Sequence, residues 1–254
     1  MRAFTRAVSP RLAECQLTHL DRVPIDPARA AEQHAAYEAA LVAAGIEIVR
    51  LPELADDPDA VFVEDTALLL GEHAVITRPG APSRADEVHS TAEGLAGHFR
   101  VHWIERGYVD GGDVLRIGQT LYVGRSTRTD ADGIAALANL IAPLGYLVTE
   151  AKLGDCLHLK TGATFAGNGV LLYNPHAVDP AQFAEVEPIA VLEPAAANCV
   201  LANDQIILPA GNPQTATMLR DSGFHVVEVD VSELQKAEAG VTCMSLIDDR
   251  REHR

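Results

Sequence analysis

Residues 26–51 read DPARAAEQHAAYEAALVAAGIEIVRL. Asp26 carries the acceptor side chain of an N-cap, Pro27 suits the first helical position, and the Ala-rich run to Ala44 stops at Gly45, a natural C-terminal signal. The strand Ile46-Glu47-Ile48-Val49-Arg50-Leu51 follows directly. The same exit recurs along the chain. A helix from near Ser83 ends at Gly97 before Phe99 to Ile104, and one from near Asp130 ends at Gly145 before Tyr146 to Thr149. A short helix around Ala181 to Val186 leads into Ile189 to Leu192, and Pro213 to Asp221 ends near Gly223 before Phe224 to Val229.

Hairpins fill the intervals. Thr66 to Leu70 turns at Gly71-Glu72-His73 into Ala74 to Thr77, and Val114 to Ile117 turns at Gly118-Gln119 into Leu121 to Val123. Ala163 to Ala166 turns at Gly167-Asn168-Gly169 into Val170 to Tyr173, and Cys199 to Ala202 turns at Asn203-Asp204 into Gln205 to Leu208. The remaining pair is split: Val241 to Ile247 is expected to lie against Ala3 to Val8, closing a ring and removing exposed edges. The fold class expected is therefore α/β, a closed ring of five ββαβ units. An open doubly wound sheet is the bland alternative for alternating strands and helices. Tight hairpins count against it, since parallel sheets need long crossovers, and no Gly-x-Gly-x-x-Gly fingerprint follows a first strand.

The bulk numbers narrow the function. With 254 residues, 48% of them hydrophobic, the chain can fill a substantial core, and no linker divides it. Lys plus Arg number 20 against 36 Asp plus Glu, a formal charge of −16 that argues against nucleic acid and suits a cationic ligand. No run has the length of a signal-peptide core or a membrane span, so a cytoplasmic protein with no membrane partner is expected. Cys15, Cys156, Cys199 and Cys243 show neither disulfide nor zinc-knuckle spacing, and each is judged alone.

In a ring, the loops between exit strands and hairpins return toward the axis. The first is Asp59-Ala60-Val61-Phe62-Val63-Glu64-Asp65-Thr66, read as extended, with carboxylates among apolar neighbours. Acidic residues usually sit on a solvated face, but carboxylates buried among Val and Phe need a cation or a proton. The second, Asp110-Gly111-Gly112-Asp113, could be no more than a tight turn; its glycines also permit close backbone approach. The third holds His158 between two leucines, a setting more often structural than catalytic. Most buried cysteines are inert, yet Cys243 opens the closing strand at the place held by Asp65, Asp110 and His158 in other units. Cys15, Cys156 and Cys199 are assigned to structure. A cysteine, a histidine and carboxylates that hold cations suggest nucleophilic attack on a guanidinium carbon.

The segments DAVFVED (Asp59–Asp65), TRPGAPSR (Thr77–Arg84), Asp110-Gly111-Gly112-Asp113-Val114, Leu157-His158-Leu159-Lys160, Ala196-Ala197-Asn198-Cys199 and Thr242-Cys243 together resemble dimethylarginine dimethylaminohydrolases, in order and over nearly the whole chain. The resemblance implies a five-bladed α/β propeller, or pentein, with one catalytic domain over residues 1–254. It implies hydrolysis of asymmetric dimethylarginine and monomethylarginine to citrulline and an alkylamine. By motif, Cys243 resembles the nucleophile, His158 the general acid and later base, and Asp110 the residue that orients His158. Asp59, Glu64 and Asp65 would hold the guanidinium. Arg84 and Arg128 resemble the pair that fixes the substrate carboxylate, Leu17 a lid residue, and Ala237 a backbone contact to the amino group. No metal or other cofactor is implied, the partner is a small-molecule substrate, and a homodimer is compatible with the reading.

Arginine deiminase shares the chemistry, but it resembles a longer chain with an inserted helical bundle, and amidinotransferase fails on length likewise. A silent arginine-binding scaffold is opposed by the presence of Cys243, His158 and Asp110 together. A metal module on Cys243 and His158 would have only two soft ligands. The tail Asp248 to Arg254 is expected to be a solvated, frayed end.

Overall fold

The computed structural model describes residues Met1–Arg250, and within them five three-stranded sheets form a five-bladed α/β propeller. Each blade obeys one rule. An antiparallel hairpin is followed by a helix or irregular crossover and then an outer strand parallel to the hairpin's second strand, the pairing that needs a long connection. In one blade Ala67–Leu70 pairs antiparallel with His73–Ile76, placing Leu68 opposite Val75, and His73–Ile76 pairs parallel with Arg100–Trp103. Val114–Ile117, Thr120–Gly124 and Leu147–Ala151 repeat the arrangement. So do Ala163–Gly167, Val170–Tyr173 and Glu187–Ala190, and then Val200–Ala202, Gln205–Pro209 and His225–Val229. The ring closes where Arg2–Thr5 pairs antiparallel with Leu246–Asp248 and parallel with Glu47–Arg50.

Local chemistry sets these boundaries. Helix Pro27–Ala43 starts where the Asp26 carboxylate accepts from the backbone N–H groups of Ala28 and Arg29. It stops at Gly45, whose φ of +80° lets the chain reverse into Glu47–Arg50. Helices wedge between adjacent blades and so join them. Leu95 and Val88 of helix Glu87–Leu95 pack with Phe4 and Leu246 of one blade and Ala74 and Ile76 of the next. Helix Ala131–Ile141 fills the following interval with Ile134, Leu137 and Ile141, each worth about 2 kcal/mol when removed from water.

Four expectations need correction. The helix expected over Ala181 to Val186 is only a turn at Pro180–Gln182; Ala177, Val178 and Phe183 fill that interval instead, with Phe183 edge-on to Tyr122. The Asp59 to Thr66 loop is not extended, because Val63–Thr66 forms a 3-10 helix in which Thr66 Oγ1 donates to the Val63 carbonyl. Cys243 does not open a strand: it sits in the 3-10 helix Thr242–Met244, and the strand begins at Leu246. The tail is not frayed from its start, since Asp248 is a buried strand residue paired with Arg2 and Arg250. The rest of that tail, residues 251–254, lies outside the described residues.

Val63–Thr66 and Thr242–Met244 belong to one pattern. A short helical turn precedes the first strand of every hairpin: Val63–Thr66, Gly111–Asp113, Leu159–Gly162, Pro194–Ala197 and Thr242–Met244. These turns pack around the axis, and they carry the site. Among the described residues no helix is long and apolar enough to cross a membrane.

Candidate active site

Cys243, His158, Asp110, Asp65, Asp59, Arg84, Arg128 and Ala237 all line one pocket, together with Gln16, Phe62, Leu157, Glu238 and Ala239. They come from widely separated parts of the chain, brought together at the axis, although the turn Pro194–Ala197 contributes no lining residue. The positional equivalence expected for four of them is looser than the repeat suggested. Asp110 and His158 each stand just before their turns, whereas Asp65 and Cys243 lie within theirs.

His158 is buried between two carboxylates. Its Nε2 lies 3.1 Å from Asp110 Oδ2 and its Nδ1 lies 3.9 Å from Asp65 Oδ1. Burial alone would depress the imidazole pKa, but the carboxylates of Asp65, Asp113 and Asp110 outweigh it and raise the value to about 9. His158 is therefore an imidazolium at neutral pH, with Nε2–H donating to Asp110. Asp110 is completely buried, and its second oxygen accepts from the Gly80 backbone N–H at 2.8 Å. Asp113, quoted in the motif but given no role at the sequence level, accepts from Ser126, Thr129 and the Leu159 N–H. It thereby ties the His158 turn to the Asp110 turn.

Gly112 explains the paired glycines. A Cβ there would stand 2.6 Å from His158 Nδ1 and 2.8 Å from Asp65 Oδ1. Its own N–H donates to Asp65 Oδ1 at 2.9 Å. The other Asp65 oxygen accepts from Arg84 Nη1, and burial of this carboxylate is outweighed by His158 and Arg84, which hold its pKa below the ordinary range.

Cys243 is half-buried, and the Gly240 N–H points at its sulfur from 3.4 Å. Burial, then the Glu64 and Asp65 carboxylates, push the thiol pKa well up, so the free protein carries a thiol rather than a thiolate. Asn198 braces the turn: its Oδ1 accepts from the Thr242 N–H, and its Nδ2 donates to Thr242 Oγ1 and to the Lys160 carbonyl. This gives a physical reason for the Ala-Asn-Cys segment, which sequence reading quoted without a role.

The remaining candidates divide. Asp59 accepts from the Gln16 N–H, and burial raises its pKa. Arg128 is half-buried, with Nη2 donating to Thr18 Oγ1. Arg84 is buried, and its nitrogens are directed at Glu87, Asp65 and the carbonyls of Asp59 and Phe62. Glu64 is not in the pocket. It faces a separate cavity of about 240 Å³ with Lys160, its Oε1 2.6 Å from Lys160 Nζ and its Oε2 accepting from Thr242 Oγ1. Within the 3-10 helix Glu64 and Asp65 face different sides, so the grouping of Glu64 with Asp59 and Asp65 around one guanidinium is not what the structure places. Leu17 packs on the apolar cluster beside the Cys243 turn, next to pocket-lining Gln16.

Asp65, Asp110 and His158 bring one ligand atom each within 4.8 Å, the one such grouping among the described residues. Asp65 is already occupied by Arg84 and Gly112, and an imidazolium has no free lone pair, so the set as charged suits proton transfer better than metal binding. The pocket thus combines a thiol, an acid of pKa about 9 and carboxylates able to hold a cation.

No family model matches the chain. The N(G),N(G)-dimethylarginine dimethylaminohydrolase of Streptomyces coelicolor is 40% identical over 96% of both chains. The solved dimethylarginine dimethylaminohydrolase of Pseudomonas aeruginosa, a cysteine-to-serine variant complexed with citrulline, superposes with a TM-score of 0.92 at 36% identity, over 96% of this chain and 98% of that one. A histidine-to-glycine dimethylarginine dimethylaminohydrolase carrying an adduct with S-methyl-L-thiocitrulline gives 0.91 at 35% identity, with the same coverage.

Proposed function

The chain belongs to the dimethylarginine dimethylaminohydrolase family, and on that premise we propose that it hydrolyses Nω,Nω-dimethylarginine and Nω-monomethylarginine to citrulline and dimethylamine or methylamine. The observation that carries the proposal is the meeting of Cys243, His158 and Asp110 with Asp59 and Asp65 in one pocket. In this reading Asp59 and Asp65 face the substrate's positive charge. Arg84 and Arg128, both lining the pocket, are the planar donors for the substrate carboxylate. The Ala237 backbone meets the amino group, Leu17 covers the site, and Glu64 supports the Cys243 turn from below through Thr242.

The chemistry follows from the protonation states. A cationic guanidinium beside the buried carboxylates offsets the charge that holds the Cys243 proton, and the thiol proton leaves to solvent. The thiolate adds to the guanidinium carbon. His158 gives its proton to the departing nitrogen as the C–N bond breaks, so an amine leaves instead of an amide anion. Neutral His158, oriented by Asp110, then takes a proton from water whose oxygen adds to the thiouronium carbon. The C–S bond breaks, citrulline forms and Cys243 returns as its thiol.

The test is citrulline production from asymmetric dimethylarginine, monomethylarginine and arginine side by side, in the parent protein and in Cys243→Ser. Turnover of the methylated substrates that vanishes in the variant supports the proposal. Preference for arginine points to a deiminase, and no citrulline from any of them overturns it. The proposal also takes the ring as one catalytic domain in a cytoplasmic protein, and a homodimer would be read from sedimentation of the intact chain.

A further inference from the structure

Residues 16–25 have no regular structure, and they run from Gln16, which lines the pocket, past Thr18, which is bonded to the pocket-lining side chains of Glu238 and Arg128. Leu17 and buried Ile25 pack on the core near the two ends, but burial does little to hold the middle, where Leu20 is 52% and Val23 45% exposed. What holds it is polar, and one side chain dominates. Glu238 accepts from three consecutive backbone N–H groups: Thr18 at 2.9 and 3.0 Å through its two oxygens, and His19 and Leu20 at 2.5 Å each. Glu238 itself lines the pocket, five residues before Cys243. Its backbone has φ of +61°, a left-handed conformation that is uncommon for a residue with a long side chain. The turn therefore sustains a local backbone cost in the conformation that aims this carboxylate at the segment.

Lesser contacts support the same segment. Arg128 Nη2 donates to Thr18 Oγ1, Gln16 N–H donates to Asp59, and His19 lies 3.7 Å from Asp155. With the segment in this position the pocket encloses only about 30 Å³, room for water but not for an amino acid. A substrate must therefore shift part of the pocket's surroundings to reach Cys243, and the segment that Glu238 holds, continuous with pocket-lining Gln16, is a part without regular structure.

We propose that Glu238 is a positioning residue: its carboxylate latches the backbone of Thr18, His19 and Leu20 over the Cys243 pocket and sets how tightly substrate is retained. The part concerning substrate rests on the methylarginine reading, while the latch itself does not. Without the carboxylate, ordering of the segment must be drawn from the substrate's own binding energy, which raises KM and leaves the chemical step alone.

Glu238→Gln keeps the size of the side chain and the same turn, so it isolates the charge. Amide hydrogen exchange in the free protein is the first readout. Exchange at Thr18, His19 and Leu20 should quicken about tenfold or more, the factor carried by one charge-assisted hydrogen bond. Exchange at Ile206 and Ile207, within a buried strand, should stay unchanged and report an intact fold. The second readout is turnover of asymmetric dimethylarginine, where KM should rise about tenfold with kcat within about twofold of the parent. Equal exchange at residues 18–20 in the two proteins overturns the latch, and so does a fall in kcat at unchanged KM. Should neither protein act on methylarginines, the functional reading fails, and the exchange comparison still decides the latch.

Discussion

Replacing Asp110 by Asn removes one buried charge from the partner of His158 while leaving an atom at each hydrogen-bonding position. The effect can be worked from the contact. Asp110 Oδ2 lies 3.1 Å from His158 Nε2, and Asp65, Asp113 and Asp110 together overcome the burial of the imidazole to hold its pKa at about 9. Loss of one carboxylate at this range should lower that pKa by about one to three pH units. Each unit corresponds to about 1.4 kcal/mol. The folded value is raised above the unfolded value of about 6.5, so the contribution to stability is fully present below pH 6.5 and is lost as pH rises through 9. Asp110→Asn should therefore cost about 1.4 to 4 kcal/mol at pH 6, and the cost should shrink between pH 6.5 and 9 as parent His158 loses its proton. Labelled-histidine NMR titration gives the midpoints, and urea unfolding at pH 6 and 9.5 gives the energies. A parent midpoint near 6.5, or one midpoint shared by parent and variant, would refute the reasoning.

Two further substitutions probe how the site is held. Gly112→Ala places a methyl group against His158 Nδ1 and Asp65 Oδ1, and overpacking of this kind costs about 1 to 3 kcal/mol. Urea unfolding should show that loss together with a fall in kcat of about a hundredfold, while kcat near the parent value would show that the turn can shift without disturbing the pair. Arg6 is wholly buried and donates to the carbonyls of Pro52 and Ala60 and to Thr91, anchoring both ends of the loop that presents Asp59. Arg6→Met leaves two carbonyls without partners and should cost about 2 to 5 kcal/mol in urea unfolding, with unchanged stability as the opposing result.

The blades were legible because their signals are local. Gly45 ends a helix for reasons contained in its own backbone, and Asn203, at a φ of +55°, suits the tight turn of its hairpin, although its side chain also donates to the Ala44 carbonyl of another blade. The Ala181 to Val186 interval misled because Phe183 is held by Tyr122 of the neighbouring blade, a tertiary contact with no signature in the segment itself. The site was legible as a set of residue types for a similar reason: a thiol, an imidazole and buried acids recur where the inner loops return. What sequence could not place was the partner of each side chain. Alternation along the chain already sets Asp65 opposite its neighbour Glu64, but residue types alone do not show that Asp65 meets Arg84 and Gly112 while Glu64 meets Lys160 and Thr242, because those partners come from other turns. Asp113 and Asn198 were missed for another reason. They act on backbone groups of other turns, and only the closed ring brings those turns within reach.

The electrostatics of this ring also bear on how product leaves. Burial, and after it the carboxylates of Glu64 and Asp65, raises the Cys243 pKa in the free protein, and Asp59 and Asp65 face the pocket where a guanidinium would be held. The same negative field therefore opposes the thiolate and attracts the substrate. A cation entering this field relieves the opposition, so in the proposed reaction binding and activation of the nucleophile are one event. Citrulline carries a neutral ureido group where the substrate carried a charge. Once it forms, the field has nothing left to neutralise, the attraction to the reacting end disappears and the thiol regains its proton. A neutral isostere of methylarginine would meet the opposite fate at the outset, since it would find Cys243 protonated and offer the carboxylates no positive charge. Selectivity for cations and release of the neutral product thus follow from one arrangement of buried acids around an imidazolium.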